Sequence, residues 1–266
     1  LLANLRQLIR YRALIHSLVA RDLKARYRGS VLGVVWSFVN PLLLLLIYTF
    51  VFSVVLRGFR GGGMEPFALF MFCGILPWTW FSTSLLESSN VLIAGGNLIR
   101  KVLFPAEVLP IVTVLAGLVH FLLGLPILAA FLVYYRAQVS MYPLDLLWFP
   151  VVVLVQLALT VGLALMASAV TVHFRDVRDL LANVLTLWFF ATPIIYPISV
   201  VSGRVEQYLN LNPFTHLAIA YQEILFVPGP YRAWSRLLIV GVASFLVLLL
   251  GYFVFDRLRD TLAEEV

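Results

Sequence analysis

The chain has 266 residues, of which 62% are hydrophobic and only 12% charged. A soluble domain of that length carries about 25% charged residues, so the apolar excess excludes an ordinary water-soluble fold and indicates a polytopic membrane protein. The net charge of +6 reads as basic cytoplasmic loops, not as affinity for nucleic acid.

Residues 1–28 form a basic amphipathic stretch unlike a cleavable signal. On a helical wheel Arg6, Arg10, Ser17, Arg21, Lys24 and Arg28 gather within about 60°. Leu1, Leu5, Leu8, Ile15, Val19 and Leu23 cluster on the other side. This predicts a helix lying in the cytoplasmic interface, apolar face toward the acyl boundary and basic face toward anionic headgroups. A plain topology anchor is the alternative. Arg12 and Arg26 fall within the apolar arc, from which long stems can snorkel.

Beyond Arg28 the charges stop. Six segments lack Asp, Glu, Lys and Arg for about the length of a bilayer crossing: 31–56, 67–86, 108–135, 146–172, 180–203 and 237–255. The shortest makes a helix of roughly 28 Å, against a hydrocarbon core of about 30 Å. Uniform apolarity without alternation excludes a barrel. The expected fold is therefore all-α: six transmembrane helices (31–256) between an interfacial helix (1–30) and a cytoplasmic tail (257–266). An even number of spans puts both termini on one side. That side carries thirteen Lys and Arg against six on the other, which makes the termini cytoplasmic.

Neutral polar groups recur within the spans. Gly33, Ser37, Asn40 and Tyr48 lie along one stripe of the first, where Pro41 removes a backbone donor and predicts a kink. Asn183, Thr186, Phe190, Pro193 and Pro197 recur on the fifth at helical spacing. Trp78, Trp80 and Phe81 add rings on the second, and Trp188, Phe189 and Phe190 on the fifth. Such faces suit a hydroxyl-rich cargo sliding past; interface-belt aromatics and interhelical hydrogen bonds are the plainer explanation.

Between the second and third spans, Asn97 is placed to cap a short helix that Pro105 ends. That helix carries Leu98, Ile99, Arg100, Lys101, Val102, Leu103 and Phe104, an apolar patch suited to lipid or to a soluble partner. In 173–179 the mixed charges of HFRDVRD can pair among themselves. In 204–236 an apolar run is interrupted by Asn210, Asn212, Pro213, His216, Gln222 and Glu223. It is too short for a span and reads as a helical hairpin dipping back from outside.

Several chemistries lack their residues. No Gly-Lys pair exists, so no P-loop cradles nucleotide phosphates. No Cys/His cluster offers metal-ligand spacing. Cys73 is the only cysteine and reads as a small buried hydrophobe. His120 stands alone within the third span and reads as a helix-packing residue. Proton- or ion-driven carriers keep carboxylates in their spans, and here there are none. A membrane-embedded glycosyltransferase would have to use Asp176, Asp179, Glu107 and Glu87, which lack a paired spacing. A passive channel is the third class.

The segments RDLKARYRGSVLGVVWSFVNPLL (21–43), LIRKVLFPAEVLP (98–110), HFRDVRDL (173–180), TPIIYP (192–197) and LNPFTHL (211–217) occur in order over nearly the whole chain. In them the chain resembles the transmembrane subunit of bacterial polysaccharide ABC exporters, the type-2 permeases that move O-antigen, capsular polysaccharide or teichoic acid. The resemblance implies a homodimer in the bacterial inner membrane with two ATPase subunits docked beneath it. ATP and Mg would sit on those partners, and this chain would bind no cofactor or metal and have no catalytic residues. Asn97 to Phe104 would be the coupling helix. Ser37, Asn40, Tyr48, Trp78, Trp80, Asn183, Thr186 and Phe190 would line a channel, and Asn212, Pro213, His216, Gln222 and Glu223 would form its outer gate. The cargo would be a glycan on undecaprenyl diphosphate, whose phosphates Arg21, Lys24, Arg26 and Arg28 would draw to the entrance.

Overall fold

The computed structural model describes residues 11–26, 28–55, 66–96, 105–135, 143–174, 176–201, 203–226 and 230–265. Among them every regular element is helical. Helix α1 is Arg12–Arg26, α2 Trp36–Phe50, α3 Phe67–Ala94, α4 Val108–Tyr134 and α5 Phe149–His173. Helix α6 is Val177–Phe190, α7 Arg204–Leu209, α8 Pro213–Phe226 and α9 Trp234–Glu265.

Four stretches are long and apolar enough to cross a bilayer: Phe67–Ala94, Val108–Tyr134, Pro143–His173 and Trp234–Arg259. Helix α3 is the centre of the bundle, buried without a break from Phe67 to Trp78. Helices α4 and α5 pack on it, and α9 packs on α5. The α5–α9 contact is backbone to backbone. A Cβ on Gly162 would lie 2.6 Å from the Val247 carbonyl oxygen, so only glycine permits this approach, the small-residue packing of membrane helices. The opposite face of α9 leaves Leu238, Ile239, Val242, Phe245 and Leu246 exposed, as a lipid-facing stripe requires.

The two remaining expected spans are shorter than their sequences suggested. Helix α2 has fifteen residues and continues as a π-helical turn, Val51–Val55, which together make roughly 28–30 Å. It runs through Pro41 without interruption. Helix α6 has fourteen residues, or about 21 Å. The expected run from 180 to 203 therefore needs correction: the helix stops at Phe190. Pro193 and Pro197 lack an N–H, and each disfavours helical backbone in the residue before it. They shape a turn and do not continue the face of Asn183, Thr186 and Phe190.

Helix α8 starts halfway along α3. Phe214, near its first turn, lies 4.9 Å from the Trp78 ring centroid and 4.7 Å from that of Phe81. Phe226, at its other end, lies 5.7 Å from Phe70. The chain thus re-enters the bundle near mid-height and climbs back toward the start of α3, with Phe214, Leu217, Ala218 and Tyr221 fully covered. Helix α1 also packs on the bundle. Leu18 of α1 is buried against Val108 and Val112, at the start of α4, with Leu14, Ile15 and Val19 beside it.

Candidate functional site

Among the described residues, two clusters of polar side chains interrupt this apolar bundle, beside single buried contacts such as that from Gln156 Nε2 to the Pro77 carbonyl at 2.9 Å. The first surrounds a cavity of about 330 Å3 between α1, α2, α3 and α4. Its polar lining is Arg26, Ser37, Asn40, Thr79, Thr83 and His120, and Trp36, Trp80 and Phe121 supply ring surface. Asn40, Thr79 and Thr83 are exposed, so the cavity is open. The Thr79 hydroxyl donates to the Ile75 carbonyl at 2.9 Å and that of Thr83 to the Thr79 carbonyl at 2.6 Å. Each hydroxyl spends its proton within its own helix and keeps acceptor capacity for the cavity. Ser37 Oγ lies 3.3 Å from His120 Nδ1, so His120 links α4 to α2.

At one edge of the cavity Arg26 forks onto Glu87. Its Nη1 reaches Oε1 at 2.8 Å, and its Nη2 makes a very short contact with Oε2. Nε also donates to Asp22 at 3.2 Å, one turn back on α1. Burial alone would lower the Arg26 pKa, but the hydrogen bond and charge of Glu87, and then Asp22, outweigh it and hold the guanidinium above its ordinary value. This explains an arginine on the apolar arc of α1: its side chain reaches a carboxylate of α3. Thr79, Thr83 and Glu87 follow one another at i, i+4 and form a single stripe on α3. The sequence reading missed that stripe, although its spacing was there to be read.

The second junction is centred on Asn212. Its Oδ1 accepts from Trp188 Nε1 at 2.7 Å and from the Phe214 N–H at 2.9 Å. Its Nδ2 donates to the Ala191 carbonyl at 3.0 Å and to Thr192 Oγ1 at 2.9 Å. One side chain thus ends α6 and starts α8, where Pro213 occupies the first helical position. Nearby, Gln222 Nε2 donates to the Pro193 carbonyl at 3.1 Å, and His216 Nε2 meets the Asn210 carbonyl at 2.9 Å. Glu223 is half-buried on the same helix. Four of the five expected gate residues therefore join the TPIIYP turn to α8 or stabilise the approach to it.

The expected channel set divides. Asn40, Asn183, Thr186 and Phe190 are exposed, and Tyr48 is half-buried. Ser37 is buried in the cavity wall. Trp78 lies in an aromatic cluster with Phe81, Trp188, Phe189 and Phe214, and Trp80 donates to the Val114 carbonyl at 3.1 Å. Both tryptophans are buried in the single chain, Trp80 forming part of the cavity wall. Arg21, Lys24 and Arg28 are exposed. Asn97, Leu98, Ile99, Arg100, Lys101, Val102, Leu103 and Phe104 lie outside the described residues. Of the carboxylates a glycosyltransferase would need, Glu87 holds Arg26, Glu107 is buried, and Asp176 and Asp179 are exposed.

A helical bundle with several bilayer-length apolar helices, broken by one open polar cavity and one neutral polar junction, defines a multi-pass membrane protein. The chain belongs to the ABC-2 type transporter family, whose model matches residues 13–226. It is 39% identical over 263 residues to the O-antigen export system permease protein RfbA of Myxococcus xanthus, covering 98% of both chains. A Klebsiella pneumoniae protein of the same name is 31% identical over 92% of this chain and 91% of its own. The polysialic acid transport protein KpsM of Escherichia coli is 22% identical over 89% and 90%.

Proposed function

We propose that this chain is the permease subunit of an ATP-driven exporter that carries a lipid-linked polysaccharide of the O-antigen type across the bacterial inner membrane. The observation that carries the reading is the identity of 39% across 98% of both chains with an O-antigen export permease. Two copies pair about a two-fold axis, and two ATPase subunits dock at the segment Asn97–Phe104. ATP binding to those subunits pushes this segment, rocks the helices and opens a path. The proposed topology keeps six crossings with both termini cytoplasmic, α2 with its π turn and α6 with the turn after it serving as the two short ones. The exposed faces of Asn40, Asn183, Thr186 and Phe190 turn toward the path, and the α7–α8 segment, held by Asn212, is its outer gate. The cargo's carrier is undecaprenyl diphosphate, and the basic residues of α1 gather its phosphates at the entrance.

The test is co-reconstitution of the chain with its ABC ATPase in proteoliposomes containing a radiolabelled polyprenyl-diphosphate glycan. Transfer of the glycan that requires ATP hydrolysis is the expected result. Transfer without nucleotide would show a passive channel, and extension of the glycan from a sugar donor by the chain alone would show a glycosyltransferase. Either outcome would overturn the proposal.

A further inference from the structure

Among Arg21, Lys24, Arg26 and Arg28, Arg26 is the one that forms ion pairs among the described residues. Both its terminal nitrogens are taken by a carboxylate 61 positions away, at the edge of an open cavity whose other polar lining is Ser37, Asn40, Thr79, Thr83 and His120. A carboxylate and a phosphate present the same two-oxygen edge to a guanidinium. Arg26 therefore cannot fork onto a phosphate while it forks onto Glu87.

We infer that the cavity is the docking site for the phosphate end of the lipid-linked cargo, and that Glu87 is a built-in competitor which the phosphate displaces from Arg26. The inference rests on the lipid-linked reading of the cargo given above. Exposed Arg21, Lys24 and Arg28 raise the local concentration of the anion, and Arg26 receives it. Behind Arg26, the acceptor hydroxyls of Thr79 and Thr83, the Asn40 amide and the rings of Trp36 and Trp80 suit the first sugar. The cavity volume lies within the range of about 300–1,000 Å3 seen for small-ligand pockets. The pair is half-exposed, with side-chain exposures of 26% for Arg26 and 42% for Glu87, so water can cover the carboxylate once it is released. The exchange also has a mechanical consequence. Glu87 ties α1 to the second span, while Arg26 lies only ten residues before the start of α2. Displacing Glu87 frees the approach to the first span when cargo arrives.

The experiment uses the full transporter in nanodiscs and a farnesyl diphosphate bearing one hexose as probe, with dissociation constants measured by microscale thermophoresis. Glu87→Gln removes the competing charge, and the probe should bind severalfold tighter than to wild type, up to about fivefold. Arg26→Gln should abolish binding, and the double variant should match Arg26→Gln. Wild type that binds the probe, with Glu87→Gln binding equally or more weakly, overturns the exchange while the lipid-linked reading stands. Wild type that ignores the probe overturns that reading, and this inference with it. Equal competition by phosphatidylglycerol vesicles would overturn assignment of the site to the carrier. Where Glu87→Gln fails to assemble, Glu87→Asp carries the test. Its shorter arm weakens the fork, so the probe should bind more tightly, and unchanged affinity would reject the exchange.

Discussion

The Asn212 junction and the Arg26–Glu87 pair both place polar groups among apolar helices, and they do so in opposite ways. Asn212 is a neutral amide that uses both acceptor sites and both donors on four partners from two segments. Nothing remains for a ligand. The Arg26–Glu87 pair is charged, half-exposed and made of groups that a competing ion can satisfy equally well. A saturated neutral hub has no alternative partner, so it holds one geometry. An ion pair beside an open cavity has one whenever an anion or water enters. The comparison separates architecture from a contact suited to exchange.

The largest effect is expected where the architecture is broken. Interhelical hydrogen bonds in membrane proteins average about 0.6 kcal/mol each and a helix N-cap is worth about 1 kcal/mol, so three of the former and the bond to the Phe214 N–H make Asn212→Ala cost about 2–3 kcal/mol. The thermal midpoint of the purified complex should fall clearly. Asn212→Asp keeps the acceptors but sets a carboxylate oxygen against the Ala191 carbonyl, so the midpoint should fall at least as far. An Asn212→Ala complex as stable as wild type would show that the α6–α8 junction is held by the aromatic cluster of Trp78, Phe81, Trp188 and Phe214 alone.

How far such features can be read from sequence depends on the range of the physics behind them. The long apolar helices were legible because uniform hydrophobicity over twenty residues has one solution in a bilayer. Helix α8 was legible as a short helix because Asn212, His216 and Gln222 interrupt a run too short to span. Pro193 and Pro197 were misread because their spacing fits a helix face, while their chemistry ends the helix first. Arg26 looked misplaced on the apolar side of α1 because its partner is 61 residues distant, and no local pattern encodes such a pairing. The Thr79–Thr83–Glu87 stripe was local, and an i, i+4 search among neutral hydroxyls would have found it.

Gln222 offers an intermediate case. It is buried and neutral like Asn212, but it makes one bond, to the Pro193 carbonyl. Gln222→Leu should therefore cost about 1 kcal/mol, within the span of about 0.6–1.7 kcal/mol for single contacts of this kind. Differential scanning fluorimetry on the reconstituted complex measures it. A loss equal to that of Asn212→Ala would mean that the turn, and not the hub, fixes the start of α8.

The smallest change in stability belongs to Arg26→Gln. Solvent screens a half-exposed ion pair, and such pairs are worth at most about 1 kcal/mol. Part of that remains, because a glutamine amide can still donate to Glu87. Raising the salt concentration shortens the Debye length to about 3 Å at 1 M, so it should erode the stability difference between wild type and Arg26→Gln while leaving the Asn212→Ala deficit in place. A pair that served only to hold the bundle would behave otherwise: its loss would match that of Asn212→Ala and persist in salt. In that outcome Arg26 would be a second structural hub, and its fork onto Glu87 would be too costly to exchange for a phosphate.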